Sequence, residues 1–199
     1  MTLVSTFEVL VKPQLPNIGV LEQISRKVIQ GYFLTIANVN FFPVTVSVVF
    51  TIKFPKDSGG VAETPTSFED FLNVVDITGI NLFPENPEPQ GKLVPEVVPQ
   101  NNKARVTFTL PENGTGLLLL QANILKEGLL ETADFEARGY VEIFLSSLSG
   151  SDTATLLVTP EQRGTFFKNL EDNPTGVGLD QIAYALPVSN GGVFKLSNS

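Results

Sequence analysis

Carboxylates are the side chains with which this chain could do chemistry, and they gather in two stretches. The candidate acids are Glu131, Asp134, Glu136, Glu171, Asp172 and Asp180. Glycoside hydrolysis needs two carboxyl groups that face each other across about 5–9.5 Å. A carboxylate-dependent, glycosidase-like hydrolase is therefore one hypothesis. It stays the alternative, because sugar sites use aromatic platforms and the chain has no Trp and only three Tyr.

The same two stretches could offer oxygen ligands to calcium. The segment Glu171-Asp-Asn173 and the acids at 131–136 could each supply two or three ligands, but neither has the spacing of an EF-hand loop. Acidic groups in loops are more often simply solvated. We therefore predict no metal site and no cofactor.

The missing residue types exclude several classes of chemistry. The chain has no His and no Cys, which rules out Ser-His-Asp and Cys-His catalysis, a thiolate zinc site and a disulfide framework. Its net charge is −8, with 13 basic against 21 acidic residues, which argues against a nucleic-acid partner.

No apolar run approaches the roughly 18 residues of a membrane helix. The N-terminal segment Met1–Pro13 resembles a strand rather than a signal peptide, so the cytoplasm is the expected location.

An apolar period of two residues dominates the chain. Val44, Val46, Val48, Phe50, Ile52 and Phe54 fall on one face of one segment, and Ala104, Val106, Phe108 and Leu110 fall on one face of another. Such alternation is typical of half-buried antiparallel strands. We therefore predict a single domain over residues 1–199 that is all-β, an immunoglobulin-like antiparallel β-sandwich of about eight strands.

Residues 55–103 form a long excursion between two of these strands. They contain seven of the 14 prolines, and eight acids against three Lys. Within the excursion, Thr66 with Glu69, or Ser67 with Asp70, has the spacing of a capping box. Apolar residues then follow with a helical period, at Phe68, Phe71, Leu72 and Val75. These features predict one short helix near 66–76.

The segment Gly116–Leu125 carries more leucine than one face of a strand can bury. If Leu118, Leu120, Ala122 and Ile124 face the core, then Leu117, Leu119 and Leu125 point outwards. Exposed apolar patches of this kind are normally covered. We therefore predict that the helix bearing Phe68, Phe71, Leu72 and Val75 packs over Leu117 and Leu119. A second copy of the chain is the alternative cover.

One short internal echo is present. Glu136-Ala-Arg138-Gly139 and Glu161-Gln-Arg163-Gly164 lie 25 residues apart and share the order Glu-x-Arg-Gly. On a strand, residues two apart share a face, so each Glu could pair with its Arg. The following Gly is typical of a bulge or a close backbone approach. Chance similarity is the favoured explanation of this echo.

The segment Tyr32-Phe-Leu-Thr-Ile-Ala-Asn38-Val-Asn40-Phe-Phe-Pro43-Val-Thr-Val resembles the strand–turn–strand of the water-stress and late-embryogenesis (WHy-type) domain. That family has an Asn-Pro-Asn turn between two alternating strands, whereas this chain has Val39 in place of the proline. The resemblance covers about fifteen of the 199 residues. It implies a small non-enzymatic, immunoglobulin-like sandwich.

These observations favour a soluble, non-enzymatic protein that acts by binding a protein partner or a second copy of itself. A homodimer is one form that this assembly could take. An apolar-ligand carrier is a further alternative, since the chain contains 15 Phe and a carrier needs an internal cavity lined by such residues.

Overall fold

A computed structural model of the protein describes residues 1–15, 19, 25–54, 67–76, 94–96, 102–167 and 180–198, with the backbone alone for 94–96. Residues 55–66, 77–93 and 97–101 of the predicted excursion lie outside this description. The strands are β1 (Thr2–Pro13), β2 (Lys27–Asn38), β3 (Val44–Ile52), β4 (Phe71–Asp76), β5 (Val94–Glu96), β6 (Lys103–Leu110), β7 (Thr115–Ala122), β8 (Phe135–Leu145), β9 (Thr153–Phe167), β10 (Asp180–Ala185) and β11 (Val193–Ser197). A one-turn helix, α1, spans Leu129–Thr132.

The strands form one antiparallel sheet that is curled into a half-barrel. Its main order is β10-β9-β2-β1-β8-β3-β6-β5; in addition β11 pairs with β9, and β7 pairs with both β2 and β4. The all-β, antiparallel prediction is therefore confirmed. An immunoglobulin-like sandwich and a count of about eight strands are not confirmed, because eleven strands of the described residues share one hydrogen-bonded sheet.

Strand β2 changes partner halfway along one of its edges. Its first residues pair with β1, from Leu10↔Gln30 to Pro13↔Lys27, and its later residues pair with β7, from Tyr32↔Leu120 to Ala37↔Thr115. The opposite edge pairs with β9 throughout. The change occurs at Gly31, where a Cβ would lie 3.2 Å from the carbonyl oxygen of Leu120. Gly31 thus allows β7 to come close where β1 leaves the sheet edge.

The predicted alternation of β3 and β6 is present. Val44, Val46, Val48, Phe50 and Ile52 are buried in the core, and so are Ala104, Val106, Phe108 and Leu110. Ser47, Val49 and Thr51 on the opposite face of β3 are also buried. The reason is that β3 lies between β8 and β6, so that neighbouring strands flank it on both sides.

The predicted helix over 66–76 is wrong beyond its first turn. A 3-10 helix spans Phe68–Asp70, and the expected capping box forms between Ser67 and Asp70. The chain then extends as β4, which pairs with β7. Phe71 and Val75 are buried, and a separation of four residues suits a strand face as well as a helix face. The unpaired edge of β7 and the β-branched Val74 and Val75 favour the strand.

The cover over Leu119 is consequently not a helix. Leu119 is only 1% exposed, and its neighbours in the sheet are Phe33 of β2 and Val74 of β4. Phe68 and Phe71 instead join the core, where Phe71 contacts Phe135 with ring centroids 5.3 Å apart. Leu72 and Leu117 are half-buried. Leu125, beyond the end of β7, is 82% exposed.

Candidate functional site

Of the four described candidate acids, two form ion pairs with basic residues and two are exposed. Glu131 and Asp134 are exposed near α1, and Asp180 forms an ion pair with Arg26 at 2.5 Å. Glu136 bonds both Lys12 and Arg138. Its hydrogen bond from Lys12 lowers the pKa of Glu136, whereas a general acid requires a raised pKa.

Glu171 and Asp172 lie outside the described residues. Within the described ranges, no group of three Asp or Glu could hold a metal ion. No helix among the described residues is long and apolar enough to cross a membrane.

Both Glu-x-Arg-Gly segments form the ion pair that their spacing predicts. Arg138 Nη2 lies 2.7 Å from Glu136 Oε1 on β8, and Arg163 Nη2 lies 2.7 Å from Glu161 Oε2 on β9. Arg138 also bonds Glu8 of the neighbouring strand at 2.6 Å. The echo is therefore expressed in the same local geometry on two strands.

The two glycines of the echo differ in how closely they are approached. A Cβ on Gly139 would lie 2.1 Å from the carbonyl oxygen of Thr51 and 2.8 Å from the ring of Phe7. At Gly164 the nearest atom would be Ile182 Cγ2, at 3.3 Å. The predicted close backbone approach is thus present at Gly139, while Gly164 is approached by side chains, with Val28 Cγ2 at 3.4 Å as the second contact.

A pocket of about 380 Å³, which we name the Phe33–Arg163 pocket, lies beside Arg163. Residues of β2, β7, β9 and β10 line it: Ile29, Gly31, Phe33, Gln121, Arg163, Gly164, Thr165, Gln181, Ile182 and Ala183. The Arg163 guanidinium stacks on the Phe33 ring, with Cζ 4.4 Å from the ring centroid. Such stacking is a favourable cation–π contact, and it fixes the plane of the guanidinium.

A second pocket, of about 360 Å³, contains the other Arg-Gly pair. It is lined by Thr6, Phe7, Glu8, Arg138, Gly139, Gln162 and Leu186. Here Arg138 is held between Glu8 and Glu136. The guanidinium of Arg138 thus bonds two carboxylates. The guanidinium of Arg163 bonds one carboxylate and contacts one aromatic ring.

Buried polar groups bridge the gap where β1 leaves β2. The Tyr32 hydroxyl lies 2.9 Å from Ser5 Oγ, and burial raises the pKa of Tyr32. Beside them, Tyr184 donates to Gln162 Oε1 at 2.7 Å, and Gln162 Nε2 donates to the carbonyl oxygen of Glu8. Side chains therefore replace strand pairing along this stretch of β1.

The turn in the WHy-like segment is held by asparagine side chains. The buried Asn38 donates from Nδ2 to the carbonyl oxygens of Phe42 and Pro111, each at 2.8 Å. Asn40 donates to the carbonyl oxygen of Thr155 at 2.8 Å and accepts from its N–H at 3.2 Å. The two asparagines thus tie the β2–β3 turn to the β6–β7 turn and to β9, which is a structural role.

Strand β10 is the most exposed of the strands whose side chains the structure describes. All six of its residues are exposed, including Ile182 at 45% and Tyr184 at 42%. One edge of β10 pairs with β9, and no strand among the described residues pairs with the other. A free edge presents backbone N–H and C=O groups to a further strand.

No protein-family model, curated protein or solved structure matches the chain.

Proposed function

We propose that the protein is a non-enzymatic binding protein that assembles through the free edge of β10, and that its first partner is a second copy of itself. The exposure of all six residues of β10 beside an unpaired edge carries this proposal. Natural edge strands are usually protected by Lys, by Pro or by a bulge. The segment Asp180–Ala185 contains no Lys and no Pro, and it pairs with β9 without a register shift.

The sequence of β10 is compatible with pairing to itself about a two-fold axis. Paired residues in an antiparallel sheet point to the same face, so the two members of a pair differ by an even number of positions. With Ala183 opposite its own copy, Ile182 lies opposite Tyr184 of the second copy, and Gln181 lies opposite Ala185. Pairs of an aromatic and a β-branched residue stabilise sheets by about 0.2–1 kcal/mol each. This register contains two of them.

The charges of β10 also favour a second copy. Asp180 is the only charged residue of the strand, and Arg26 of the same chain neutralises it. No like charges therefore face each other across the two-fold axis, although each chain carries a net charge of −8. At physiological salt, charges more than about 8 Å apart are largely screened.

The alternative functions receive less support. Of the described candidate acids, Glu136 and Asp180 form ion pairs with basic side chains, and Glu131 and Asp134 are exposed. An apolar-ligand carrier needs an open interior, but large side chains that could line one are fully buried, among them Tyr32, Phe50, Phe135 and Phe194. A cytoplasmic location and an immunoglobulin-like relationship belong to the same proposal and rest on the sequence alone.

Cysteine cross-linking tests the proposed register, because the chain has no native Cys. We expect Ala183→Cys to form a disulfide-linked dimer on mild oxidation, since the two Ala183 residues face each other. Gln181→Cys alone is the matched control. In this register its copies lie about 13 Å apart along the strand, beyond the roughly 7 Å that a disulfide allows.

Sedimentation of the unmodified chain provides the second readout. We expect a dimer that Ile182→Lys converts to a folded monomer, because a lysine would replace the apolar member of each Ile–Tyr pair. A monomer at every concentration up to about 100 µM, a range in which even weak pairing with a micromolar Kd is visible, would refute the proposal. Equal cross-linking of the Gln181→Cys and Ala183→Cys chains would refute the register.

A further inference from the structure

The Phe33–Arg163 pocket has the construction of a small-molecule site. Four strands meet around it, and Gly31, which pairs with Arg163, places no side chain in it. At Gly31 the space is shaped by the close approach of Gln121, whose Cβ would lie 3.2 Å from an added Cβ. Its volume of about 380 Å³ falls within the range of small-ligand pockets, which is roughly 300–1,000 Å³.

The charged group in the pocket is the guanidinium of Arg163, and only some of its N–H donors bond within the protein. Arg163 Nε and Nη2 both donate to Glu161 Oε2, at 3.0 and 2.7 Å. An arginine has five N–H donors, so the two on Nη1 and one on Nη2 remain. The Phe33 ring below holds these donors in one plane. A planar donor fork of this kind matches a carboxylate.

The charge balance narrows the class of ligand. The positive charge of Arg163 excludes a cationic ligand. Because Glu161 neutralises part of that positive charge, a ligand with two negative charges, such as phosphate, is disfavoured. On the face of the sheet that carries Arg163, the remaining walls combine the apolar side chain of Ile29 with the amides of Gln121 and Gln181. We propose that this pocket binds a small organic monocarboxylate, with its carboxylate on Arg163 and its apolar part against Ile29, which lies on the same face of the sheet. All lining residues come from one chain, so the proposal does not depend on the dimer.

Benzoate is a suitable probe, with benzamide as its neutral counterpart of nearly the same shape. In an NMR titration of the ¹⁵N-labelled full chain, we expect benzoate to shift the amide signals of Gly164, Thr165 and Ala183 saturably. Benzamide should bind about tenfold more weakly or worse, because hydrogen bonds to a charged group are the stronger ones. A peptide with a free C-terminus and its amidated form extend the test. If the peptide with a free C-terminus binds more tightly than its amidated form, the natural ligand is a peptide C-terminus. If benzoate binds and neither peptide does, the natural ligand is a small free acid.

Arg163→Gln is the decisive variant, and Arg138→Gln is its matched control from the other Glu-x-Arg-Gly segment. We expect Arg163→Gln to weaken benzoate binding by about tenfold or more and Arg138→Gln to leave it unchanged. Ala183→Leu, at an exposed position of the lining, should also reduce binding by filling the pocket. Wild-type protein without a saturable shift would overturn the proposal, as would equal binding by the Arg163→Gln variant. Sedimentation of the same samples decides the dimer separately.

Discussion

Asn38 Oδ1 accepts two hydrogen bonds from Asn40, one from its backbone N–H at 3.0 Å and one from its side-chain amide at 2.7 Å. The Asn38 amide nitrogen donates in the other direction, to the carbonyl oxygens of Phe42 and Pro111. Asn38→Asp removes these donors and places a charge beside carbonyl oxygens. We expect a loss of about 3 kcal/mol or more in the free energy of unfolding, measured in urea. Asn113→Asp makes the same charge change at an exposed turn residue and should cost less than about 0.5 kcal/mol.

Gly139 is predicted to tolerate no side chain. An added Cβ would collide with the backbone of Thr51 at 2.1 Å, and β3 cannot move away because β6 pairs with its other edge. Gly139→Ala should lower the free energy of unfolding by about 3 kcal/mol, at the upper end of the usual cost of overpacking. Gly150→Ala is the control, since no atom lies within 4 Å of its added Cβ. Equal melting temperatures for the two variants would contradict the packing described here.

Tyr32 makes the fold sensitive to alkaline pH. Burial raises the pKa of Tyr32 above its usual value of 10.0, so above pH 10 the unfolded chain loses this proton before the folded chain does. Stability then falls as pH rises, with a contribution from Tyr32 of up to about 1.4 kcal/mol per pH unit. In urea unfolding series between pH 9 and 11, Tyr32→Phe should show a shallower fall than wild type. Parallel curves would mean that Tyr32 ionises alike in both states.

The Tyr32–Ser5 hydrogen bond can be measured by a double-mutant cycle at pH 7. Ser5→Ala leaves the Tyr32 hydroxyl buried without its partner, which costs about 1–3 kcal/mol. Tyr32→Phe should remove that penalty, so the double variant is expected to lose less stability than the sum of the single variants. Additive losses would show that the two hydroxyls are not coupled.

Glu136 should stabilise the fold at neutral pH and not in strong acid. The hydrogen bond from Lys12, assisted by the charge of Arg138, lowers the pKa of Glu136. Its stabilisation is therefore present above the unfolded-state pKa and is lost as the pH falls through the folded-state pKa. Because the pair is partly exposed, Glu136→Gln should cost no more than about 1 kcal/mol at pH 7 and nothing near pH 2. Glu131→Gln, at an exposed position near α1, should show no such pH dependence.

The sequence predicts the regular strands well because their signal is local. In β3 and β6 the core residues recur at every second position. This period of two residues can be recognised from the sequence without knowing which strands pair. The segment 68–76 illustrates the limit. Phe71 and Val75 satisfy both periods, and the edge of β7, whose paired residues lie 41 to 51 positions further along the chain, decides in favour of a strand.

The pocket was beyond sequence prediction for the same reason. Gly31, Arg163 and Ala183 become neighbours in one row only through the register of β2, β9 and β10. A glycine within an apolar strand was the one local signal, since it often marks close approach of another group. The Glu-x-Arg-Gly echo indicated the ion pairs correctly, but it contains nothing that distinguishes Arg138, which has two carboxylate partners, from Arg163, which has one.

The pairing of β2 with β9 has a consequence for the order of events during synthesis. Lys27 pairs with Phe167 and Asn38 with Leu156, so β2 finds this neighbour only after most of the chain has left the ribosome. The other edge of β2 can pair with β7, and β1 can pair with β8, only after those later strands have been synthesised. The first two strands thus emerge early and remain without most of their partners. We expect refolding on the millisecond-to-second scale of proteins with distant contacts, and a nascent chain that needs protection from aggregation until β9 emerges.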